Sequence, residues 1–244
     1  MRETYRIAER NVEIRSLHRE VHILCRDYRS EETPDFIVEI SQKDIDFERE
    51  RSLAEDTAAG NPVRKYSDGY LETLAVYRKI ADEMLGYDTL LFHGSCVAVD
   101  GEGYLFTAKS GTGKSTHTRL WRELFGTRAV MVNDDKPLIR VTDGGAVIFG
   151  TPWNGKHNLG ENISVPLRAI CVLERAKENC IKTVSKREVY SLLLQQTHRS
   201  ADPLKMVKML RLVDALTASV GLYRLGCNMD PEAARISYDG MKPQ

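Results

Sequence analysis

The sequence predicts an α/β fold with α+β character, built on a mixed β-sheet. Three observations carry that expectation. In mid-chain the apolar run Tyr104-Leu105-Phe106 leads into a glycine-rich loop, and a helical pattern with Leu120 and Leu124 four apart follows it. Turn residues, Asp100-Gly101-Glu102-Gly103 and Asp143-Gly144-Gly145, separate apolar runs on either side of that loop, so strand and helix do not alternate regularly. Toward the C-terminus, Leu204, Val207, Leu210, Val213 and Leu216 recur at steps of three, which predicts a helix with one apolar side.

The first third of the chain reads as strand-rich. Val12-Glu13-Ile14 alternates, Val21-His22-Ile23-Leu24-Cys25 is a compact apolar run, and a third strand follows the turn signal Thr33-Pro34. Residues 41–65 are polar with mixed charge and read as a long loop broken by Gly60-Asn61-Pro62. Asp68 is an expected N-cap for a helix along Leu71, Leu74, Ala75, Arg78 and Ala81. Leu90-Leu91-Phe92, Cys96-Val97-Ala98-Val99, Ala129-Val130-Met131-Val132, residues 136–140 and Ala146-Val147-Ile148-Phe149 read as strands, as do residues 168–173 and 223–227. Helices are expected over 186–196 and 232–238. The expected organisation is a strand-rich N-terminal region, 1–66, and a core, 67–244, with a helical C-terminal region.

The chain has 244 residues, enough for a substantial core, and 42% of them are hydrophobic. Lys+Arg and Asp+Glu number 35 each, so the charge balance supports neither nucleic acid nor an anionic membrane as partner. No apolar run approaches the length of a membrane span, and the charged N-terminus has no signal-peptide h-region. The five cysteines are scattered without a C-x-x-C pair, which predicts reduced, mostly buried thiols and a cytoplasmic setting rather than zinc or disulfides.

Residues 108–116 read Ala-Lys-Ser-Gly-Thr-Gly-Lys-Ser-Thr. This is the phosphate-binding loop pattern G-x-x-x-x-G-K-[ST] with Ala108 in place of the first glycine. Gly111 and Gly113 let successive N–H groups turn toward an anion, joined by Ser110, Thr112 and Thr116. Lys114 can reach the β and γ phosphates, and Ser115 can offer its hydroxyl to Mg²⁺. The strand before and the helix after supply the context the motif requires, so ATP with Mg²⁺ is the expected ligand.

Neighbouring residues suggest chemistry. Asn133-Asp134-Asp135 ends a buried strand shortly after the loop's helix, where α/β sites collect. Phosphoryl transfer needs one carboxylate near the metal and often another to accept a hydroxyl proton, and two adjacent Asp could divide those jobs. His93 would lie near the phosphates if its strand pairs with the loop strand. Trp153, Asn154, Lys156 and His157, in a stretch with Gly150 and Gly155, form a candidate substrate cluster. Arg175, Arg199 and Arg224 could each reach a phosphate, with nothing local to choose among them.

Taken together, His93-Gly94, a hairpin, Ser110-Gly111-Thr112-Gly113-Lys114-Ser115, a helix, and a strand ending in Asp134-Asp135 resemble the core of HPr kinase/phosphorylase. That core is itself similar to the nucleotide site of phosphoenolpyruvate carboxykinase. The chain as a whole resembles a bacterial subgroup in which a Thr-Pro-Trp-x-Gly-Lys-His segment, here residues 151–157, follows the core. The resemblance implies that Lys114 binds phosphates, Ser115 and Asp134 serve the metal, Asp135 is the general base, and His93 is an active-site residue. It also implies a P-loop in a mixed sheet and frequent homo-oligomers. The Leu-Glu-x-Arg-Gly segment that carries a further acidic ligand in HPr kinases has no counterpart here.

The reading that follows is an ATP- and Mg²⁺-dependent kinase acting on a hydroxyl, either a serine of a protein or peptide or a small molecule such as free serine. The alternatives are a carboxykinase-like metabolic enzyme and a nucleotide-binding regulatory module without catalysis.

Overall fold

The computed structural model describes residues 1–58, 60, 62, 64–109, 111–155 and 157–242. The chain divides into two compact units, Met1–Glu83 and Met84–Gln244.

In the first unit, β1 (Arg2–Ile7) and β2 (Arg10–Arg15) form an antiparallel hairpin. Ala8 and Glu9 close it with positive φ values of 47° and 60°, the backbone that a tight hairpin turn requires. After the short helix α1 (Glu20–Leu24), β3 (Phe36–Glu39) adds parallel to β2. Two helices complete the unit, α2 (Gln42–Ala58) and α3 (Asp68–Met84).

Three expectations change here. The run from Val21 to Cys25 is helical: Val21 and Cys25, four apart, are buried while Ile23 between them is 56% exposed. The polar stretch 41–65 contains α2 rather than a loop. Its start is capped, since Asp44 Oδ2 accepts from both the N–H (2.7 Å) and the hydroxyl (2.8 Å) of Ser41. The helix carries ion pairs such as Arg51–Glu55 at 2.9 Å, so it shows no apolar period for a sequence reading to detect. The helix expected from Asp68 is present, but Ser67 is its cap: the Ser67 hydroxyl accepts from the Tyr70 N–H at 3.3 Å.

The sequence groups α3 with the core from residue 67, whereas the compact division falls after Glu83. The polar contacts of α3 explain its membership. The buried Glu72 carboxylate accepts from the N–H groups of Leu17 (2.6 Å) and His18 (2.8 Å), Arg78 pairs with buried Glu48 at 2.6 Å, and Lys79 pairs with Asp44 at 2.8 Å.

The second unit is a nine-stranded mixed sheet covered by helices. Its elements in order are β4 (Thr89–Leu91), β5 (Ser95–Val99), β6 (Glu102–Thr107), α4 (Lys114–Phe125), β7 (Ala129–Asn133), β8 (Leu138–Thr142), β9 (Gly145–Phe149), β10 (Ser164–Arg175), β11 (Cys180–Thr183), α5 (Lys186–Gln196), α6 (Pro203–Ser219), β12 (Gly221–Cys227) and α7 (Glu232–Met241). The order β4-β8-β9-β10-β6-β5-β7 forms the main path, and β12 pairs with both β10 and β11. β10 holds the sheet together. Its first residues pair antiparallel with β9, and the remainder lies parallel to β6 on one side and β12 on the other. It is longer than the strand expected over 168–173, and β11 was not expected at all.

Alternate residues of the central strands enter two separate cores. Cys96, Ala98, Leu105, Val132, Ile170 and Val172 pack with Val189 and Leu193 of α5 and with Met209, Leu212, Val213 and Leu216 of α6. Val97, Val99, Tyr104, Phe106, Met131, Ala169 and Cys171 pack with Leu120 and Trp121 of α4 and with Ala233, Ala234 and Met241 of α7. Burial on both faces explains why these strands read as continuous apolar runs.

Two helix faces differ from the sequence expectation. Leu124 is 36% exposed, while His117, Thr118, Leu120 and Trp121 are the buried side of α4. In α6 the buried set is Met209, Leu212, Val213 and Leu216, and Leu204 is 82% exposed. Steps of three drift off a 3.6-residue turn, so a helix this long cannot keep them all inside.

A buried polar knot joins α4 to α7. The Trp121 indole N–H donates to Ser237 Oγ at 2.8 Å, and His117 Nε2 lies 3.1 Å from the same hydroxyl. Burial pushes His117 down from the ordinary 6.5 to about 4, so the ring is neutral when folded. The unfolded chain binds this proton first. The stability contribution is therefore complete above about pH 6.5 and lost as pH falls toward about 4, a loss of roughly 3 kcal/mol from this residue. Urea unfolding at pH 7.5 and 4.5 checks this: His117→Phe is expected to lose less stability between the two pH values than the parent.

Candidate functional site

Strand register brings the sequence candidates to one edge of the sheet. β5 runs antiparallel to both its neighbours, with Ser95 opposite Phe106 of β6 and Cys96 opposite Asn133 of β7. The start of β5 therefore meets the ends of β6 and β7. The parallel pairing of β10 with β6 adds Arg175 at the same edge. Gly94 makes the approach possible, because a Cβ there would lie 2.7 Å from Leu105 Cδ1 and 3.0 Å from the Phe106 carbonyl oxygen.

Beyond β6 the chain turns through the glycine loop into α4. Gly111 (φ 75°) and Gly113 (φ 119°) occupy the left-handed region, and added side chains would meet no neighbour, so conformation rather than space calls for glycine. Ala108 is buried with no positive φ, which is why alanine serves at the strand end. Gly113 begins α4 with no side-chain cap, so the first helical N–H groups, those of Lys114, Ser115 and Thr116, point outward at the positive end of the helix dipole. Ser115 is exposed and Thr116 half-buried. Thr112 folds its hydroxyl back to the Lys109 carbonyl at 2.8 Å. The Arg175 guanidinium donates to the Gly111 carbonyl at 2.6 Å, which distinguishes it from Arg224, ion-paired with Glu174, and from exposed Arg199. Ser110 and Lys156 lie outside the described residues.

At the end of β7, Asn133 organises the acidic turn. Its Oδ1 accepts from the N–H groups of Asp135 (2.9 Å) and Lys136 (2.7 Å), and its Nδ2 donates to the Thr151 carbonyl (3.2 Å) and hydroxyl (3.1 Å). The turn projects Asp134 and Asp135 in different directions. Asp134 is buried, and its Oδ1 accepts from the Ser95 hydroxyl at 2.6 Å. Asp135 meets His93 Nε2 at 3.3 Å and Lys136 Nζ at 3.2 Å.

The charges in this cluster act on one another. Burial disfavours the Asp135 carboxylate, but the bond from His93 and the charge of Lys136 outweigh it and hold the carboxyl below its ordinary range. Burial, opposed by the bond to Asp135 and reinforced by Lys136 and Lys114, keeps His93 below its ordinary value. Burial likewise lowers the Lys114 ammonium against the pull of Asp135. His93, Lys114, Asp134, Asp135 and Lys136 thus form one electrostatic unit.

The 150–158 stretch reaches this unit through Gly155. A Cβ there would lie 3.4 Å from both Asp134 Oδ2 and the Asp134 carbonyl oxygen. Trp153 is buried, Asn154 half-buried against Gly160, and His157 exposed. Ser95, Thr118, Lys136 and Thr151 are participants that the sequence reading missed. Lys136, next to the acidic pair, and Thr151, which opens the 151–157 segment, carried a local signal.

The protein oxygens beside the loop, Ser115 Oγ and the Asp134 carboxylate, are hard donors that suit Mg²⁺ shared with phosphate oxygens. Among the described residues no group of three or more His, Cys, Asp or Glu could hold a metal by protein ligands alone. Nor, among them, is any helix long and apolar enough to cross a membrane. Cys25, Cys96 and Cys171 are buried, Cys227 half-buried and Cys180 exposed, all as free thiols.

No protein-family model and no curated protein matches the sequence. Among solved structures, the chain is similar to the Hpr(Ser) kinase/phosphatase from Coxiella burnetii, with a TM-score of 0.33 and 8% identity over 61% of this chain and 94% of that one. At that TM-score, both fold and function rest on the residues themselves.

The Asn133 turn is open to a direct test. Asn133→Ala strands two N–H groups and is expected to cost about 1–3 kcal/mol of unfolding free energy. Asn133→Asp keeps the acceptor but loses the bonds to Thr151, so chemical denaturation is expected to place it between the two.

Proposed function

We propose that the protein is an ATP- and Mg²⁺-dependent kinase that transfers the γ-phosphoryl group to a hydroxyl, on a serine of a protein or peptide or on a small molecule such as free serine. The observation that carries this reading is the His93–Asp135 contact at 3.3 Å, in one electrostatic cluster with Lys114 at the uncapped start of α4. A carboxylate poised beside a phosphate-binding lysine suits proton removal from an attacking hydroxyl.

In this reading the outward N–H groups of the loop and α4 cradle the triphosphate, and Lys114 neutralises its terminal charge. Arg175 keeps the Gly111 carbonyl turned away from the anion. Ser115 and Asp134 hold Mg²⁺, which when bound neutralises charge on the phosphate oxygens. Asp135 takes the acceptor's proton. His93, neutral at physiological pH, orients Asp135 and keeps it ionised without adding a positive charge that would compete with Lys114 for phosphate. Trp153, Asn154 and His157 contribute to the acceptor side, next to the acidic turn through Gly155.

Asp135→Asn is expected to lower phosphotransfer by about 10²- to 10⁴-fold, read with labelled ATP against cell extract or free serine, while calorimetric ATP affinity stays near that of the parent. Full-rate transfer by this variant overturns the base assignment. Tight ATP binding by the parent with no turnover across a broad acceptor screen favours a regulatory nucleotide-binding module instead.

A further inference from the structure

The Asp134 carboxylate does not stand alone. Ser95, fully buried at the first position of β5, donates its hydroxyl to Asp134 Oδ1 at 2.6 Å. The same Ser95 oxygen lies 3.1 Å from the hydroxyl of Thr118, which is 2% exposed on α4. Thr118 in turn reaches the Lys114 and Ser115 carbonyl oxygens, both at 3.3 Å. A serine hydroxyl has one proton, and a carboxylate only accepts. With that proton given to Asp134, the Ser95–Thr118 contact needs the Thr118 proton. The donation therefore runs from Thr118 of α4 to Ser95 of β5 to Asp134 at the end of β7, and the Lys114 and Ser115 carbonyls, which only accept, stand outside it.

We infer that Ser95 is a positioning residue: with Thr118 it forms a buried hydroxyl relay that fixes the Asp134 carboxylate relative to the phosphate loop, so that a divalent cation shared with a nucleotide meets pre-aligned protein oxygens. This rests on the kinase reading above. The relay starts at Thr118, one turn along α4 from Lys114 and Ser115, and ends on the carboxylate assigned to the cation. Gly155, set against the Asp134 Oδ2 side, places no side chain of its own there. A carboxylate whose orientation is held through one oxygen binds a cation without first giving up rotational freedom, and outer partners of this kind are worth about 10- to 100-fold in metal affinity.

The test is Mn²⁺ binding to the full chain with saturating ADP, read by electron paramagnetic resonance of free Mn²⁺, alongside calorimetric ADP binding in EDTA. Ser95→Ala is expected to weaken Mn²⁺ binding by about tenfold or more and leave metal-free ADP affinity unchanged. Thr118→Val, which keeps the shape and removes the hydroxyl, is expected to weaken Mn²⁺ by less, and Ser95→Cys to recover part of the Ser95→Ala loss. If Ser95→Ala also loses metal-free ADP binding, Thr118→Val decides: weakened Mn²⁺ binding with normal ADP binding supports the relay, and parental Mn²⁺ affinity overturns it. Parental Mn²⁺ affinity in both variants overturns the relay and leaves the kinase reading standing. A parent chain that binds neither ADP nor Mn²⁺ overturns the kinase reading itself.

Discussion

The site depends on β5 lying between β6 and β7 and antiparallel to both. The glycine loop ends one strand, the acidic turn ends another, and they are far apart in sequence. Only a strand running the opposite way between them can deliver His93 and Ser95 to the same edge. The register of Ser95 against Phe106 and Cys96 against Asn133 decides which side chains meet. A slip of one residue would turn Ser95 away from Asp134 and bury the wrong face of β5. The two cores oppose such a slip, because Cys96 and Ala98 belong to one and Val97 and Val99 to the other.

Burial at that edge also sets the chemistry. His93, Lys114 and Asp135 are each partly removed from water, which disfavours every charged form. The outcome differs by partner. Asp135, bonded by His93 and Lys136, keeps its charge easily. His93, faced by two lysines, does not. The result is an ionised carboxylate beside a neutral imidazole and a lysine, without the positive excess that His93 would add if protonated. The same desolvation penalty, acting on His117 deep under α4, has no counter-charge to offset it and becomes a stability term.

Much of this was legible in the chain, for local reasons. The loop, its lysine and the acidic pair are contiguous motifs whose geometry follows from a few dihedral angles, as the positive φ of Gly111 and Gly113 shows. Apolar runs marked the central strands because both faces are covered. Legibility failed where the signal is not periodic. α2 has no apolar stripe, and Val21-His22-Ile23-Leu24-Cys25 is too short to separate helix from strand. The steps of three in α6 read as one apolar side, although helical geometry carries Leu204 out to solvent.

The sequence by itself determined the glycine turn between β6 and α4, the residue types that crowd around it and the mixed character of the sheet, because those depend on neighbours along the chain. Tertiary structure alone decided the partners: His93 with Asp135, Ser95 with Asp134 and Thr118, and Arg175 with Gly111. These contacts join residues 23 to 64 positions apart, and such a contact leaves no local mark in composition or period. Strand order and register bring them into reach, and strand order is set by how two apolar cores are buried at once.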